Sequence, residues 1–467
     1  MIRYTFLMTL AVACFAGCSL APEYIRPQPP VPAQWPTGPA YQGAPKEGTG
    51  QVPEEIGWRQ FYADEKLQKV IALALDHNRD LRLAAFNVEK ARALYGIQRA
   101  GLLPTASATA SMYQERLPPD LTTTGRPSLA ELDKVNLGIL SWEIDFFGRL
   151  RNLKDKALEE YLATEQARRG AQIVLVSSVA GAYLTLAADE DNLKLAQSTL
   201  TNQQATYTLI QRRFEVGLST ELDLRRSQSL MEAARGDVAL YKRLVAQDEN
   251  ALNLLVGLPV PKEWLPPDLA AIIPPQEISP GLSSEILLHR PDILAAEHQL
   301  KAANANIGAA RAAFFPRISL TSTFGTASSE LSGLFKAGSS NWTFFPQIVM
   351  PIFDPRLRPA LDTILVERDI VVAQYEKTIQ GAFKEVADSL ALQGTVGEQL
   401  AAQEARVQAL NETYRLSDAR YFHGIDNYLG VLDAQRSLYL AQQGLIALRL
   451  VGLNNRVTLY RVLGGGK

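Results

Sequence analysis

Leu429, Asp433 and Arg436 stand at i, i+4 and i+7, so a helix beginning after Gly424 places all three on one face. Repeated about a symmetry axis, that face becomes two stacked rings, apolar at Leu429 and acidic at Asp433. Like charges so arranged attract cations and resist full closure unless a cation or Arg436 neutralises them. The plainer alternative is a solvated i,i+3 pair between Asp433 and Arg436. Arg213 to Asp223 and Arg420 to Asp433 read as two helix-turn-helix tips. Gly217 and Gly424 sit where a helix C-cap needs positive φ, and Ser219-Thr220 or Asp426-Asn427 can cap the helix that follows. Mixed charges and small residues suit the tips to groove-and-hairpin docking.

Other chemistry is sparse. His77, His289, His298 and His423 lack metal-ligand spacing. His77 and His289 fall at equivalent positions of an internal repeat, which favours a shared structural role near a helix start. His423, beside a reversal, is read as an exposed bystander rather than a pH sensor. No Walker loop, nucleophile elbow or Cys/His cluster occurs, so the expectation is no enzyme, no metal and no cofactor. Basic and acidic residues nearly balance, 47 against 49, which argues against a nucleic-acid partner.

The two cysteines, Cys14 and Cys18, both lie in the first stretch of the chain, so the body carries no disulfide framework. Arg3, an apolar run from Tyr4 to Phe15 and then Ala16-Gly17 read as a secretory signal over residues 1–17. Phe15-Ala16-Gly17-Cys18 is similar to a bacterial lipobox, with Phe15 where Leu is usual. A lipid such as palmitate on Cys18 would make it the first mature residue, and Ser19 after it favours sorting to the outer membrane. Ordinary signal cleavage with an incidental cysteine is the alternative. No later segment approaches 18 uninterrupted apolar residues, so no membrane-crossing helix is expected.

The elements that must position these groups are written twice, about 210 residues apart. Tyr95-Gly96-Ile97-Gln98-Arg99-Ala100-Gly101-Leu102-Leu103-Pro104 returns as Ile307-Gly308-Ala309-Ala310-Arg311-Ala312-Ala313-Phe314-Phe315-Pro316, and Arg213 to Gly217 is echoed by Arg420 to Gly424. Residues 18–62 form a Pro/Gly-rich extended tether, 63–260 the first repeat, 261–283 a linker and 284–464 the second repeat. Helical periodicity begins at Asp64, and Pro104 ends that helix. No proline interrupts Pro127 to Pro259 or follows Pro359. Helices from about Arg149 to Phe214 and Leu357 to Tyr421 would therefore run roughly 100 Å, each followed by a return helix ending at Gly257 or Gly464. The two reversals should share one end. An antiparallel coiled-coil rod fits the helix pattern as well as a curved wall does.

Four strands are expected at about 104–114, 134–146, 316–328 and 341–353, alternating as in Thr105, Ser107, Thr109, Ser111 against Ala106, Ala108, Ala110, Met112. Trp142, Phe146, Phe147, Trp342, Phe344 and Phe345 could supply an aromatic girdle. Two hairpins on a soluble helical body are the alternative. Four strands cannot close a barrel in lipid, whereas a homotrimer would supply twelve.

Nearly the whole mature chain resembles the outer membrane factor family, the TolC/OprM-type channel-tunnel lipoproteins of tripartite efflux systems. The resemblance is carried by the lipobox and by Ile56-Gly57-Trp58-Arg59-Gln60-Phe61, Asn78-Arg79-Asp80-Leu81, Trp142 to Arg149, Arg290-Pro291-Asp292-Ile293, Arg311 to Pro316 and Tyr428 to Arg436. It implies a mixed α and β membrane protein, internally duplicated. Four strands per chain would complete a trimeric twelve-stranded outer-membrane barrel, continuous with a long periplasmic α-helical barrel. It further implies a lipid-anchored exit duct of a Gram-negative bacterium, passing drugs or other small toxic molecules, with a periplasmic adaptor and an inner-membrane pump of the resistance-nodulation-division type as partners. Leu429 and Asp433 become the periplasmic gate; Asp223, Tyr421 and Arg436 its latches; the tips around Gly217 and Gly424 the adaptor-docking points. Where some relatives place a second acid, this chain has Gly430. Export of proteins or metal ions, and a lipid-anchored periplasmic rod that never spans, are the competing functions.

Overall fold

The computed structural model describes residues 19–41, 56–278 and 283–465. The signal segment and Cys18 lie outside the described residues. Helices α1 (Glu65–His77) and α2 (Arg79–Ala100) lead into strands β1 (Ala106–Leu117) and β2 (Ser128–Ile144), then α3 (Arg149–Glu215) and α4 (Glu221–Val256). The second set is α5 (Pro291–Ala312), β3 (Arg317–Ser328), β4 (Ser340–Val349), α6 (Leu357–Phe422) and α7 (Tyr428–Val462). Most counterparts match closely in length, although β2 has 17 residues and β4 only 10. α2 and α5 have 22 residues each, β1 and β3 have 12 each, α3 and α6 have 67 and 66, and α4 and α7 have 36 and 35.

Three local features depart from the periodicity. The helix from Asp64 does not run on to Pro104 but breaks at Asn78, whose φ of -62° and ψ of 132° are extended. The Asn78 amide donates to Leu255 O at 2.8 Å while its Oδ1 accepts from Leu81 N at 2.8 Å. A tertiary bond and a new N-cap thus outweigh helix continuation. Secondly, residues 56–62 are core rather than tether: Ile56, Trp58, Phe61 and Tyr62 are buried. Phe61 stacks on Tyr460 with centroids 4.0 Å apart, and the Tyr460 hydroxyl donates to Ile56 O at 2.7 Å. Thirdly, β2 begins at Ser128 and β1 reaches Leu117, so the first hairpin is longer and its loop shorter than the alternation suggests.

Contacts divide the chain into two compact units. The first comprises residues 19–28, Asn87–Glu165 and Ala295–Tyr375. Its four strands form one antiparallel sheet in the order β1-β2-β3-β4, so the two repeats meet in the β2–β3 pairing and β1 and β4 remain open edges. Register puts Ala108, Leu137, Phe324 and Trp342 in one row, and Ser107, Gly138, Thr323 and Thr343 in the next row on the opposite face. One face is apolar and exposed, with Leu137, Phe324, Trp342, Phe344 and Ile348 all open, and the other is polar. The extended 19–28 segment is held on this unit. Ser19 bonds Asn152, Asn304 donates to Pro22 O at 2.7 Å, and a Cβ on Gly308 would come within 2.7 Å of Ala21 N, so the tether runs hard against α5.

The second unit comprises Pro29–Phe86, Gln166–Leu294 and Glu376–Lys467 within the described residues. One stretch of α3 is apolar and long enough to cross a membrane, with mean hydropathy 1.7, but 61% of it is buried within the protein. Val176, Val179, Ala180, Tyr183 and Leu184 spend that surface on the core. Within the second repeat Arg290 ties the start of α5 to the end of α7 and to α6, donating to Val462 O at 2.7 Å and pairing with Asp292 and Glu385.

Candidate functional site

Both helical reversals lie in the second unit and share one end of it. α3 ends in a left-handed Gly217 with φ 76°, and α6 in Gly424 with φ 72°. The closing bonds are the same in each: Leu218 N to Arg213 O at 2.7 Å, and Ile425 N to Arg420 O at 2.9 Å. Thr220 then caps α4 through Asp223 N, and Asn427 caps α7 through Leu429 N. A Cβ at either glycine would meet nothing within 4 Å, so only the backbone angle demands glycine there.

The two reversals are held together by Ile210, Tyr428, Val431 and Leu432, with Leu224, Leu230, Tyr414 and Tyr421 packed against them. Tyr421 leans on Tyr428 with centroids 5.0 Å apart, and the Arg213 guanidinium lies 5.2 Å over the Tyr421 ring. Burial raises the Tyr421 pKa; Arg213 opposes this and Asp223 adds to it, which places both charges beside the phenol. Asp223 itself accepts from the Thr220 hydroxyl at 2.7 Å. Two of the three expected latch residues, Asp223 and Tyr421, are therefore neighbours within one chain. On the outer side the tips are apolar: Val216, Leu218, Leu222, Phe422 and Ile425 are all exposed. His423 is exposed as well, its ring edge-on to Phe422. Arg420 and Asp426 bracket the second turn, and the guanidinium holds the Asp426 carboxyl below its usual range.

Along α7, Leu429, Asp433 and Arg436 share one face as the spacing requires. All three are exposed, and Arg436 Nη2 lies 3.3 Å from Asp433 Oδ1. They line a groove of about 230 Å³ whose other wall is α4, where Arg226, Ser229 and Leu230 face them. Arg226, a second cation beside Asp433, was invisible to helix-face reasoning because it comes from the other repeat. Farther along, Tyr439 donates to Asp237 at 3.1 Å and Gln443 to the Tyr241 hydroxyl at 2.9 Å, so α4 and α7 run parallel in constant register. Burial, then Asp237, raises the Tyr439 pKa. Among the described residues no group of three or more His, Cys, Asp or Glu could hold a metal ion. The geometry offers an exposed acidic face backed by arginines.

The family model described as outer membrane efflux protein matches residues 70–258 and residues 282–465. The chain belongs to that family. The two matches fall on the two repeats, one each. Over 463 residues the chain is 48% identical to the toluene efflux pump outer membrane protein TtgC of Pseudomonas putida, covering 98% of this chain and 95% of that protein. It is 42% identical over 467 residues to the outer membrane protein OprJ of Pseudomonas aeruginosa, covering 98% and 95%. The open state of the Neisseria gonorrhoeae MtrE outer membrane channel superposes with TM-score 0.85 at 37% identity, over 96% of this chain and 98% of that one. This family member therefore has the mixed α and β fold of outer-membrane channels, and its place is the outer membrane of a Gram-negative bacterium as part of an efflux pump.

Proposed function

We propose that three copies of this chain close into one passive exit duct that carries small toxic molecules, solvents and drugs among them, from the periplasm to the exterior. The observation that carries this reading is the four-stranded sheet with two open edges, one apolar exposed face and one polar face. Open edges are untenable in lipid, and pairing β4 of one copy with β1 of the next removes all of them. The polar faces then line water and the apolar faces meet lipid. Energy comes from partners: a periplasmic adaptor docking on the exposed apolar tips, and an inner-membrane pump of the resistance-nodulation-division type. Cys18 carries the lipid anchor.

In the trimer the Leu429 and Asp433 faces of α7 make the periplasmic constriction, with Asp223, Tyr421 and Arg436 as latches. Each acid has Arg436 in its own chain at 3.3 Å, so the ring's mutual repulsion is partly offset before any cation binds. Planar-bilayer conductance tests the reading. Leu429→Ala with Asp433→Ala should raise single-channel conductance above wild type. A trimer that conducts nothing, even with Asp433→Ala, would favour a non-spanning rod, and a conducting trimer indifferent to both substitutions would move the gate elsewhere.

A further inference from the structure

Asp133 lies in β2 on the apolar face of the sheet, opposite Met112 of β1 and Ser328 of β3. It is 2% exposed, and neither carboxylate oxygen has a hydrogen-bond partner. Diagonally across the ladder, two residues along β3, the Thr326 hydroxyl oxygen is also buried and unpartnered. A short turn, Leu331–Gly333, roofs the place. A Cβ on Gly333 would fall 2.4 Å from Ser328 Oγ, and Leu334 beyond it is buried. The next acid on the same face, Glu131, is already engaged by Gln114 at 2.8 Å, while strand alternation sends Lys134 to the opposite face. A carboxylate removed from water without a donor or counter-charge is strongly unfavourable, and nothing among the described side chains supplies either.

We propose that Asp133, with the hydroxyls of Thr326 and Ser328, binds a calcium-class divalent cation that ties the β3–β4 turn to the sheet. Every ligand atom offered is a hard oxygen: two from the carboxylate, the two hydroxyls, and carbonyls from the irregular turn. Ca²⁺ accepts six to eight such oxygens in flexible geometry, whereas Mg²⁺ demands a near-ideal octahedron that an irregular turn does not provide. Diagonal neighbours on a sheet face are about 7–8 Å apart at Cα, which leaves room for an ion between the two side-chain tips. With one carboxylate the affinity belongs to the weak extracellular class, on the order of 10⁻⁴–10⁻³ M. Both hairpin turns lie at the end of the strands opposite the helix junctions, so the ion would fix the rim of the duct.

The test uses the full chain purified in detergent, stripped with EDTA and titrated with CaCl₂. Two readouts are followed, the thermal midpoint and trypsin cleavage at Lys336, which is exposed in the roofing loop. Wild type should show a midpoint that rises and cleavage that falls, saturating in the millimolar range, with a smaller response to MgCl₂. Asp133→Asn should lose both responses, and Thr326→Val should shift them to higher calcium. A wild type indifferent to calcium, or an Asp133→Asn protein that responds as wild type does, overturns the site. If Asp133→Asn does not fold, an unaltered calcium response in Thr326→Val overturns it equally. Conductance is not among the readouts, so this result stands apart from the exit-duct reading.

Discussion

Arg26→Ala should loosen the N-terminal tether without unfolding the body. The Glu297 carboxylate on α5 is only 4% exposed in its side chain and accepts from Arg26 Nε at 3.2 Å and Nη2 at 2.5 Å, from the Tyr24 hydroxyl at 3.2 Å and from Lys301 at 3.2 Å. Burial raises the Glu297 pKa, but the hydrogen bonds from Arg26 and Lys301 outweigh it and hold the group below its ordinary 4.5. Breaking a buried pair from one side costs about 3–5 kcal/mol. Here Lys301 remains and the Arg26 side chain is 45% exposed, so water already offsets part of the loss. An opening cost of about 1–3 kcal/mol is left, equivalent to roughly a 5–150-fold rise in local opening. Amide exchange read by mass spectrometry over residues 19–28 measures that opening directly. Glu297→Gln should cost less, because it leaves Arg26 half in water rather than a carboxylate half paired in the core. The double variant should exchange more slowly than Arg26→Ala alone. Exchange in Arg26→Ala no faster than wild type, or a double variant no slower than the single, refutes the buried-charge reasoning. Because the folded pKa is depressed, the clamp's contribution is full above the ordinary value and fades as pH falls through the folded one. Local opening over this segment, read as exchange corrected for the intrinsic amide rate at each pH, should therefore stay flat near neutrality and rise only in acid.

Gly217→Val and Gly424→Val should each impair efflux in a host carrying the pump and adaptor. A side chain there meets no neighbour, so the penalty is backbone alone, about 1–2 kcal/mol for a left-handed residue and more for a β-branched one. Asn at the same positions should be nearly silent, and normal efflux in both Val variants removes the docking argument. Cys18→Ser should abolish metabolic labelling with palmitate while trimers still assemble through strands and helices; a labelled Cys18→Ser protein sinks the anchor.

Length was the most legible property of this fold. Proline spacing points to α3 and α6, because a helix of 66 or 67 residues tolerates proline only in its first turn, where Pro359 stands, and the chain supplies none between Pro127 and Pro259 or after Pro359. The reversals were legible for a related reason: Gly217 and Gly424 each precede a polar cap residue. Asn78 was not, since its extended backbone is paid for by a bond to Leu255 O, 177 positions away. Ile56 to Tyr62 looked like more tether because a short apolar run has no period, and only the distant Tyr460 gives it a core to join. Arg226 and Glu297 share the same obscurity. A charge's partner on another element leaves no trace in local spacing.

Two glycines that carried no weight in the sequence bear on how the sheet can close. Gly138 and Gly325 stand on the polar face of β2 and β3, two rows apart in one ladder. A Cβ on Gly138 would lie 2.2 Å from Ser322 O, and one on Gly325 would lie 2.0 Å from Val135 O. Backbones that approach so closely on one face mean that the sheet bends toward that face, a bend only glycine permits. The register slip between Ile139 and Trp142, immediately beyond, adds curvature of the same kind. The polar face is thus the concave one. Curvature of this sense puts Ser107, Thr109 and Thr343 inside and Leu137, Phe324 and Trp342 outside. A flat sheet with the same residues would leave its edges unmatched, whereas a bent one can present β4 to the β1 of a second copy.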